Sequence, residues 1–174
     1  EIHPLFLVRG VPGTHDIALA ISTFKKLKAL KSNQKMSLPS FDKASDDRMP
    51  AEKGPKAIGI QNFIIFEGWC VGSRSVPSAD LALPINTLEK SQDSEGIWRF
   101  AINDYLRQDY QKLFSIIDKL IFLKAPDFAT VLKWRNKQEE KLMVTRQKNQ
   151  SHTMSNDDIA RFIEYFERIT RDNL

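Results

Sequence analysis

Two short, continuous apolar runs interrupt the otherwise mixed pattern of the chain, at residues 63–66 and 120–123. Runs of this length are typical of strands that are buried on both faces of a parallel sheet. A further short strand is predicted near residues 36–41. Glycine and proline residues predict three loops, at residues 1–13, 42–56 and 70–84.

Apolar residues at helical spacing predict the helices that separate these strands. The predicted helices cover about 14–31, two stretches within 85–117 that break near 94–96, about 127–148, and a last helix that starts at Ser155. Asp158 follows Ser155 at the spacing of a capping box, which supports that start. Strands that alternate with helices predict an α/β fold with a mostly parallel sheet, in one domain over residues 1–174.

Composition limits the class of protein. The 174 residues are 41% apolar and 28% charged, as in ordinary globular proteins. No run approaches the roughly 20 apolar residues of a membrane span, so no membrane partner is expected. The one cysteine, Cys70, excludes an internal disulfide and is interpreted as a packed thiol. No leader is visible and the chain starts at Glu1, so we expect a cytoplasmic protein with an artificial N-terminus.

The net charge of +4 is carried mainly by lysines and arginines on two predicted helices. These residues do not alternate with aromatic residues as in surfaces that bind single-stranded nucleic acid. The group on the first of these helices is therefore interpreted as a solvated helix face. The group on the helix from Asp127 is interpreted as a candidate functional surface, and no nucleic-acid partner is expected.

An acid at the end of the first apolar run is the first candidate for chemistry. Glu67 follows residues 63–66, and ligands of open α/β sheets lie beyond the carboxyl ends of the strands. Four apolar residues and an acid are the pattern of a Walker B element, whose carboxylate holds Mg²⁺, usually through water. The alternative is an acid in an ordinary turn.

Residues 9–16, RGVPGTHD, form a second candidate site. Two glycines and a proline predict a tight loop that enters a helix N-terminus, where unpaired N–H groups favour anions. Arg9 can add a bidentate contact to a carboxylate or phosphate. The alternative is a capped loop on which His15 is merely exposed.

Two further charged segments are candidates. Residues 41–48, FDKASDDR, join a predicted strand end to a loop that either lines a pocket or is a solvated surface loop. In the helix from Asp127, the apolar stripe is interrupted at Arg135, Gln138 and Glu139. Helical spacing puts Arg135 and Glu139 on one side, so Arg135 either forms an ion pair or belongs to a cationic lid.

Six segments of the chain occur in an order that goes beyond generic pattern. They are 9–16 (RGVPGTHD), 41–48 (FDKASDDR), 66–72 (FEGWCVG), 123–128 (LKAPDF), 134–142 (WRNKQEEKL) and 154–171 (MSNDDIARFIEYFERITR). Together they resemble the D-glycerate 3-kinase-like branch of the phosphoribulokinase and uridine kinase superfamily of P-loop kinases. The resemblance covers nearly all of the chain, and RGVPGTHD and FEGWCVG are its specific motifs.

The resemblance implies a three-layer P-loop NTPase-like fold, with ATP as phosphoryl donor, Mg²⁺ as cofactor and a small hydroxy acid, most of all D-glycerate, as acceptor. It makes Glu67 the Walker B-like acid and Arg135 a catalytic residue in a lid over about 127–150, where Arg135 and Gln138 contact ATP. The residues that it assigns to the acceptor or the phosphates are Arg9, Thr14, His15, Asp16, Asp42, Lys43 and Arg48. Arg74, just after FEGWCVG, is a further candidate partner for an acceptor carboxylate.

One departure from the family is decisive for activity. Such a kinase should contain G-x-x-x-x-G-K-[ST], whose backbone cradles the phosphates and whose lysine reaches them. No segment of the 174 residues has this pattern. We therefore expect the phosphate loop, the first strand and the catalytic base to lie in a segment of the same protein upstream of residue 1, and this chain alone to be inactive.

Two hypotheses of different classes follow. The first is an ATP-dependent kinase that phosphorylates a hydroxyl of a small hydroxy acid. The alternative is a non-catalytic ATP-binding or interaction protein on the same fold, because a fold does not fix a function. The missing loop would favour the alternative if residue 1 were the natural start.

Overall fold

The computed structural model describes residues 2–43, 45–146 and 154–174. Their contacts group the chain into two compact units. The small unit is Asp16–Trp69, and the helical unit combines Glu1–His15 with Cys70–Leu174. That the whole chain forms one domain over residues 1–174 stays a prediction.

The small unit contains a helix and two small antiparallel sheets. Its elements are α1 (Ile17–Lys28), β1 (Lys35–Ser37), β2 (Phe41–Asp42), β3 (Asp47–Arg48), a 3₁₀ turn (Ala51–Lys53) and β4 (Lys56–Ile58). Strand β1 pairs with β4, and β2 pairs with β3, both antiparallel. The predicted strand near 36–41 is thus divided between β1 and β2.

The helical unit contains the longer helices. Its elements are 3₁₀ turns at Pro4–Leu7 and Ser78–Leu81, α2 (Thr87–Gln92), α3 (Ile97–Tyr105), a π turn (Leu106–Tyr110), α4 (Gln111–Phe114), α5 (Phe128–Arg146) and α6 (Asn156–Asn173). Within the described part of the chain, no helix is both long and apolar enough to span a bilayer.

Local signals in the sequence placed several helix ends correctly. The break predicted near 94–96 lies between α2 and α3, where Gly96 has a φ of +82° that suits glycine. At the start of α6, Ser155 and Asp158 form the predicted capping box, with each side chain bonded to the backbone of the other residue. The predicted helix from Asp127 is α5, and residues 147–150 of the predicted lid, which include the predicted end of this helix, lie outside the described residues.

The core of the helical unit lies where α3 meets α6. Trp98 is 2% exposed and Ile159 is 1% exposed, and Tyr165 of α6 packs edge-on against the Trp98 ring. Phe6, from the first 3₁₀ turn, contacts the rings of both Trp98 and Tyr105. The N-terminal segment is therefore packed onto α3 by aromatic contacts.

A buried ion pair holds the start of α3. The Asp93 carboxylate accepts hydrogen bonds from the backbone N–H groups of Trp98 and Arg99, at 2.8 and 3.1 Å. The Arg99 guanidinium lies 3.0 Å from the same carboxylate, and both side chains are 1–2% exposed. Arg99 also donates to the carbonyl oxygen of Leu81 at 2.8 Å, so the pair joins α3 to the preceding turn.

A second ion pair joins α2 to α6. Arg168 donates to Glu89 at 2.7 Å, and Glu89 is 1% exposed. Asn86, which caps α2, donates to the carbonyl oxygen of Glu164 at 2.9 Å. The C-terminal helix is therefore fixed at several points along its length.

The two apolar runs are the main departure from prediction. Neither 63–66 nor 120–123 is a strand, and the sheets within the described residues are antiparallel and two-stranded. The prediction that both runs are buried is wrong for this structure, because the exposed fractions reach 92% at Ile65 and 90% at Leu123. Continuous apolar runs become buried strands only where flanking strands and helices cover them, and the described residues supply no such cover.

We expect the Asp93–Arg99 pair to be essential for the helical unit. Asp93→Ala should lower the free energy of unfolding by about 3–5 kcal/mol, because it leaves the Arg99 charge buried and unpaired. Lys112→Ala is the control, since the Lys112–Asp109 pair has side chains 68% and 49% exposed and should matter by less than about 1 kcal/mol. Urea unfolding followed by circular dichroism measures both, and equal effects of the two variants would contradict the prediction.

Candidate functional site

The segment 9–16 forms the tight loop that its sequence predicts. The Thr14 hydroxyl donates to the carbonyl oxygen of Val11 at 2.8 Å and accepts the N–H of Gly10 at 2.9 Å. Both glycines of the loop have positive φ, +117° at Gly10 and +104° at Gly13. Thr14, a predicted substrate-binding residue, therefore uses its hydroxyl to close the loop in this structure.

Two tyrosines that the sequence analysis did not single out support this loop. A Cβ atom on Gly13 would lie 2.6 Å from the Tyr105 ring, so the loop sits directly on that ring. The Tyr110 hydroxyl accepts the N–H of Gly13 at 3.2 Å and lies 2.6 Å from Nδ1 of His15. Tyr105 and Tyr110 are five positions apart and contact the same loop because residues 106–110 form a π turn. A search for α-helical periodicity does not place residues at this spacing on one face.

Burial governs the ionisation of the groups around this loop. Burial lowers the pKa of His15 and raises the pKa of Tyr110, although the backbone N–H groups of Gly13 and His15 act on Tyr110 in the opposite direction. Burial also raises the pKa of Cys70 to about 11. Cys70 is 6% exposed, which confirms the prediction of a packed thiol, and the raised pKa keeps this thiol protonated at neutral pH.

In the small unit, the structure brings together two candidate residues from distant segments. Arg48 donates to the Asp16 carboxylate at 2.8 Å across 32 positions of sequence. The same carboxylate accepts the N–H of Leu19 at 2.8 Å and caps α1. The hydrogen bond from Leu19, and after it the contact with Arg48, lowers the pKa of Asp16. Asp16 therefore orients Arg48 at the N-terminus of α1, with the Arg48 side chain 58% exposed.

The other candidates of the small unit lie at its surface. Lys43 and Glu67 are exposed, and the Asp42 carboxylate accepts a hydrogen bond from the Ser45 hydroxyl at 2.9 Å. No group of three or more potential ligands among the described residues could hold a metal ion. Because Mg²⁺ is often held by one or two carboxylates with phosphate and water, Glu67 fits only an ion that arrives with a phosphate ligand.

The lid candidates of α5 are engaged with their neighbours. Arg135 donates to Glu139 at 2.9 Å and to Gln138 at 3.2 Å, and Glu139 is 5% exposed. The Arg135 guanidinium lies 6.0 Å from the centre of the Phe162 ring of α6, within cation–π range. The ion pair that the sequence offered as one alternative is thus present, and the lid stays a prediction.

The predicted site residues divide between the two units. The helical unit holds Arg9, Thr14, His15, Arg74, Arg135 and Gln138, and the small unit holds Asp16, Asp42, Lys43, Arg48 and Glu67. Arg9 and Arg74 are both exposed.

Comparison with known proteins identifies two kinases with similar sequences. No family model matches the chain. An uncharacterised kinase of Schizosaccharomyces pombe, mug58, is 29% identical over 94% of this chain and 58% of its own length. The chloroplastic D-glycerate 3-kinase of Arabidopsis thaliana is 27% identical over 89% of this chain and 33% of its own length.

A solved structure extends the likeness to the fold. The D-glycerate 3-kinase of Cryptococcus neoformans var. grubii superposes with a TM-score of 0.75 at 27% identity, covering 96% of this chain and 59% of that one. These findings confirm the resemblance to D-glycerate 3-kinase-like proteins and support an α/β kinase fold. The chain spans little more than half the length of the S. pombe kinase and of the Cryptococcus enzyme, and a third of the plant enzyme.

The contact between Gly13 and Tyr105 gives a direct test of how the loop is held. Gly13→Ala should cost about 1–3 kcal/mol more than Gly10→Ala in the free energy of unfolding, because the new methyl group overlaps the Tyr105 ring. Gly10 is the matched control: it has a similar positive φ, and its nearest neighbour would be Phe166 at 3.1 Å. Chemical denaturation of both variants measures the difference, and equal costs would mean that Tyr105 does not support the loop.

Proposed function

We propose that the chain is the acceptor-binding and lid part of an ATP-dependent kinase that phosphorylates a hydroxyl of a small hydroxy acid, with D-glycerate as the first candidate. One observation carries the proposal: the chain matches the Cryptococcus D-glycerate 3-kinase over 96% of its length with a TM-score of 0.75. The kinases of S. pombe and Arabidopsis support the same class of activity.

The ion pair in the small unit supports an anionic acceptor. Arg48 is exposed and held by Asp16 at the N-terminus of α1, so its guanidinium is oriented before any ligand binds. An oriented guanidinium suits bidentate binding of a carboxylate, and a helix N-terminus favours the same charge. We assign Asp16 and Arg48 of the small unit to acceptor binding, and we assign the same role separately to Arg9 and His15 of the helical unit.

We further propose that a segment of the same protein preceding residue 1 supplies the phosphate loop and the first strand of a mostly parallel sheet. The exposed runs 63–66 and 120–123 support this. Phe63 and Ile65 are 90% and 92% exposed, whereas Phe66 is 38% exposed, as along a strand with one uncovered face. The completed fold would be three-layered and P-loop NTPase-like. In it Glu67 would hold the Mg²⁺ that accompanies ATP, and the ion would neutralise phosphate charge during transfer.

For α5 we propose the role of a lid. The Arg135 side chain is one-quarter exposed and paired with Glu139, so it must leave this ion pair to reach a phosphate. A cation that arrives only on closure stabilises the transition state more than the bound ground state. Gln138, which now accepts a hydrogen bond from Arg135, would then become available to the nucleotide.

A non-catalytic nucleotide-binding or interaction protein is the second candidate. It would be favoured only if the longer protein also lacked the G-x-x-x-x-G-K-[ST] pattern. Turnover of Mg·ATP with D-glycerate by the longer protein decides between the two.

The test of the kinase proposal is a coupled assay of ADP release by the longer protein with Mg·ATP and D-glycerate. We expect turnover that Glu67→Gln lowers by about 100-fold or more, because the change removes the charge that holds the metal. The melting temperature should hardly change, since Glu67 is exposed. Glu52→Gln is the control, an exposed acid of the same unit that should keep full activity. Normal turnover of Glu67→Gln would exclude the metal role.

The lid proposal is tested by comparing both partners of the ion pair on α5. Arg135→Ala should lower kcat about 100-fold with little change in ATP affinity, and Arg135→Lys should restore it only in part, because lysine cannot make a bidentate phosphate contact. Glu139→Gln breaks the same ion pair but keeps the arginine, so its kcat should stay near that of the unmodified enzyme. If Glu139→Gln loses as much activity as Arg135→Ala, Arg135 acts only through the ion pair.

A further inference from the structure

We infer that Tyr110 is a positioning residue that fixes His15 as the neutral tautomer with its proton on Nε2, so that the loop 9–16 presents an N–H donor to the acceptor. The part of this inference that concerns the acceptor rests on the proposed function. The tautomer itself follows from the hydrogen bonds around one hydroxyl group.

The Tyr110 hydroxyl has one hydrogen to donate and can also accept. Its oxygen accepts the N–H of Gly13 at 3.2 Å. Because Gly13 already donates to this oxygen, the hydroxyl hydrogen is available for the other hydrogen-bonding neighbour of the group, which is Nδ1 of His15 at 2.6 Å. Nδ1 is then the acceptor, and in a neutral imidazole the proton lies on Nε2.

The ionisation of both rings agrees with this assignment. Burial lowers the pKa of His15 and raises the pKa of Tyr110, so the imidazole is neutral and the phenol keeps its hydrogen near pH 7. The other titratable groups that act on Tyr110 are Cys70 and Tyr105, and burial raises the pKa of Cys70 to about 11. The Cys70 thiol is therefore neutral in the same range.

The backbone frame keeps Tyr110 in this position. Tyr110 ends the π turn and is 2% exposed, with its ring packed edge-on against Phe114 on one side and His15 on the other. π turns within helices are frequent at functional sites, because they shift the register of the side chains that follow. Here the shift puts the hydroxyl at the loop.

The assignment limits what His15 can do chemically. With Nδ1 accepting from Tyr110 and Nε2 protonated, neither nitrogen of the neutral ring is free to take a proton, so His15 is not the general base in this state. Its Nε2–H can donate a hydrogen bond to a carboxylate or hydroxyl oxygen. His15 therefore orients the acceptor, and Tyr110 acts through His15.

The tautomer is tested by ¹⁵N NMR of the labelled chain, which has three histidines, with His15→Gln to assign the signals. We expect a protonated Nε2 and an unprotonated Nδ1 with the shift of a hydrogen-bond acceptor. Tyr110→Phe should move Nδ1 to the shift of a free, unprotonated nitrogen. Tyr105→Phe, which removes the hydroxyl of the other tyrosine under the loop, should leave the His15 signals unchanged. A proton on Nδ1 in the unmodified chain, or an Nδ1 shift unaffected by Tyr110→Phe, would overturn the inference, and the first measurement needs no variant to fold.

The role in acceptor binding is tested in the longer kinase. Tyr110→Phe should raise KM for D-glycerate about tenfold, the effect of one weakened hydrogen bond, with KM for ATP unchanged. Tyr105→Phe should change neither constant. An unchanged KM for D-glycerate alongside a confirmed tautomer would overturn the acceptor role. Absence of kinase activity would instead reject the proposed function, and the NMR result would still decide the tautomer.

Discussion

The structure of the helical unit depends on the buried pair between Asp93 and Arg99. Two charges at 1–2% exposure are tolerated only when further hydrogen bonds satisfy them. Here the backbone N–H groups at the start of α3 donate to Asp93, and the carbonyl oxygen of Leu81 accepts from Arg99. The pair fixes where α3 begins and in which direction it runs. The loop 9–16 is supported by the rings of Tyr105, at the end of α3, and Tyr110, at the end of the π turn that follows. The position of the loop therefore depends on an ion pair elsewhere in the unit.

Sequence predicted this fold best where the signal was local. The break at Gly96 and the capping box at Ser155 depend on residues within a few positions of one another, and both are present. The prediction of strands at the apolar runs 63–66 and 120–123 failed, because a strand forms only next to a partner strand. Their composition predicts a β conformation, but the partners are not among the described residues.

In the candidate site, too, local features could be predicted from the sequence and long-range contacts could not. The tight loop and the Arg135–Glu139 pair could be predicted because both depend on nearby residues. Glycines mark the loop, and the i, i+4 spacing places Arg135 and Glu139 on one side of the helix. The contacts that orient the site could not be predicted. His15 meets Tyr110 across 95 positions and Arg48 meets Asp16 across 32, and no periodicity links such distant residues.

The exposed runs also decide how this chain would behave at high concentration. Residues 57–66 contain no charged side chain, and Phe63 and Ile65 are about nine-tenths exposed. Such uncharged, β-prone stretches pair between molecules, whereas flanking charges act as gatekeepers against it. Lys119 and Lys124 enclose the run 120–123 on both sides, but 63–66 has only Glu67 at one end. Self-association would therefore begin at 63–66, and a charged residue in place of Asn62 is the first change that would suppress it.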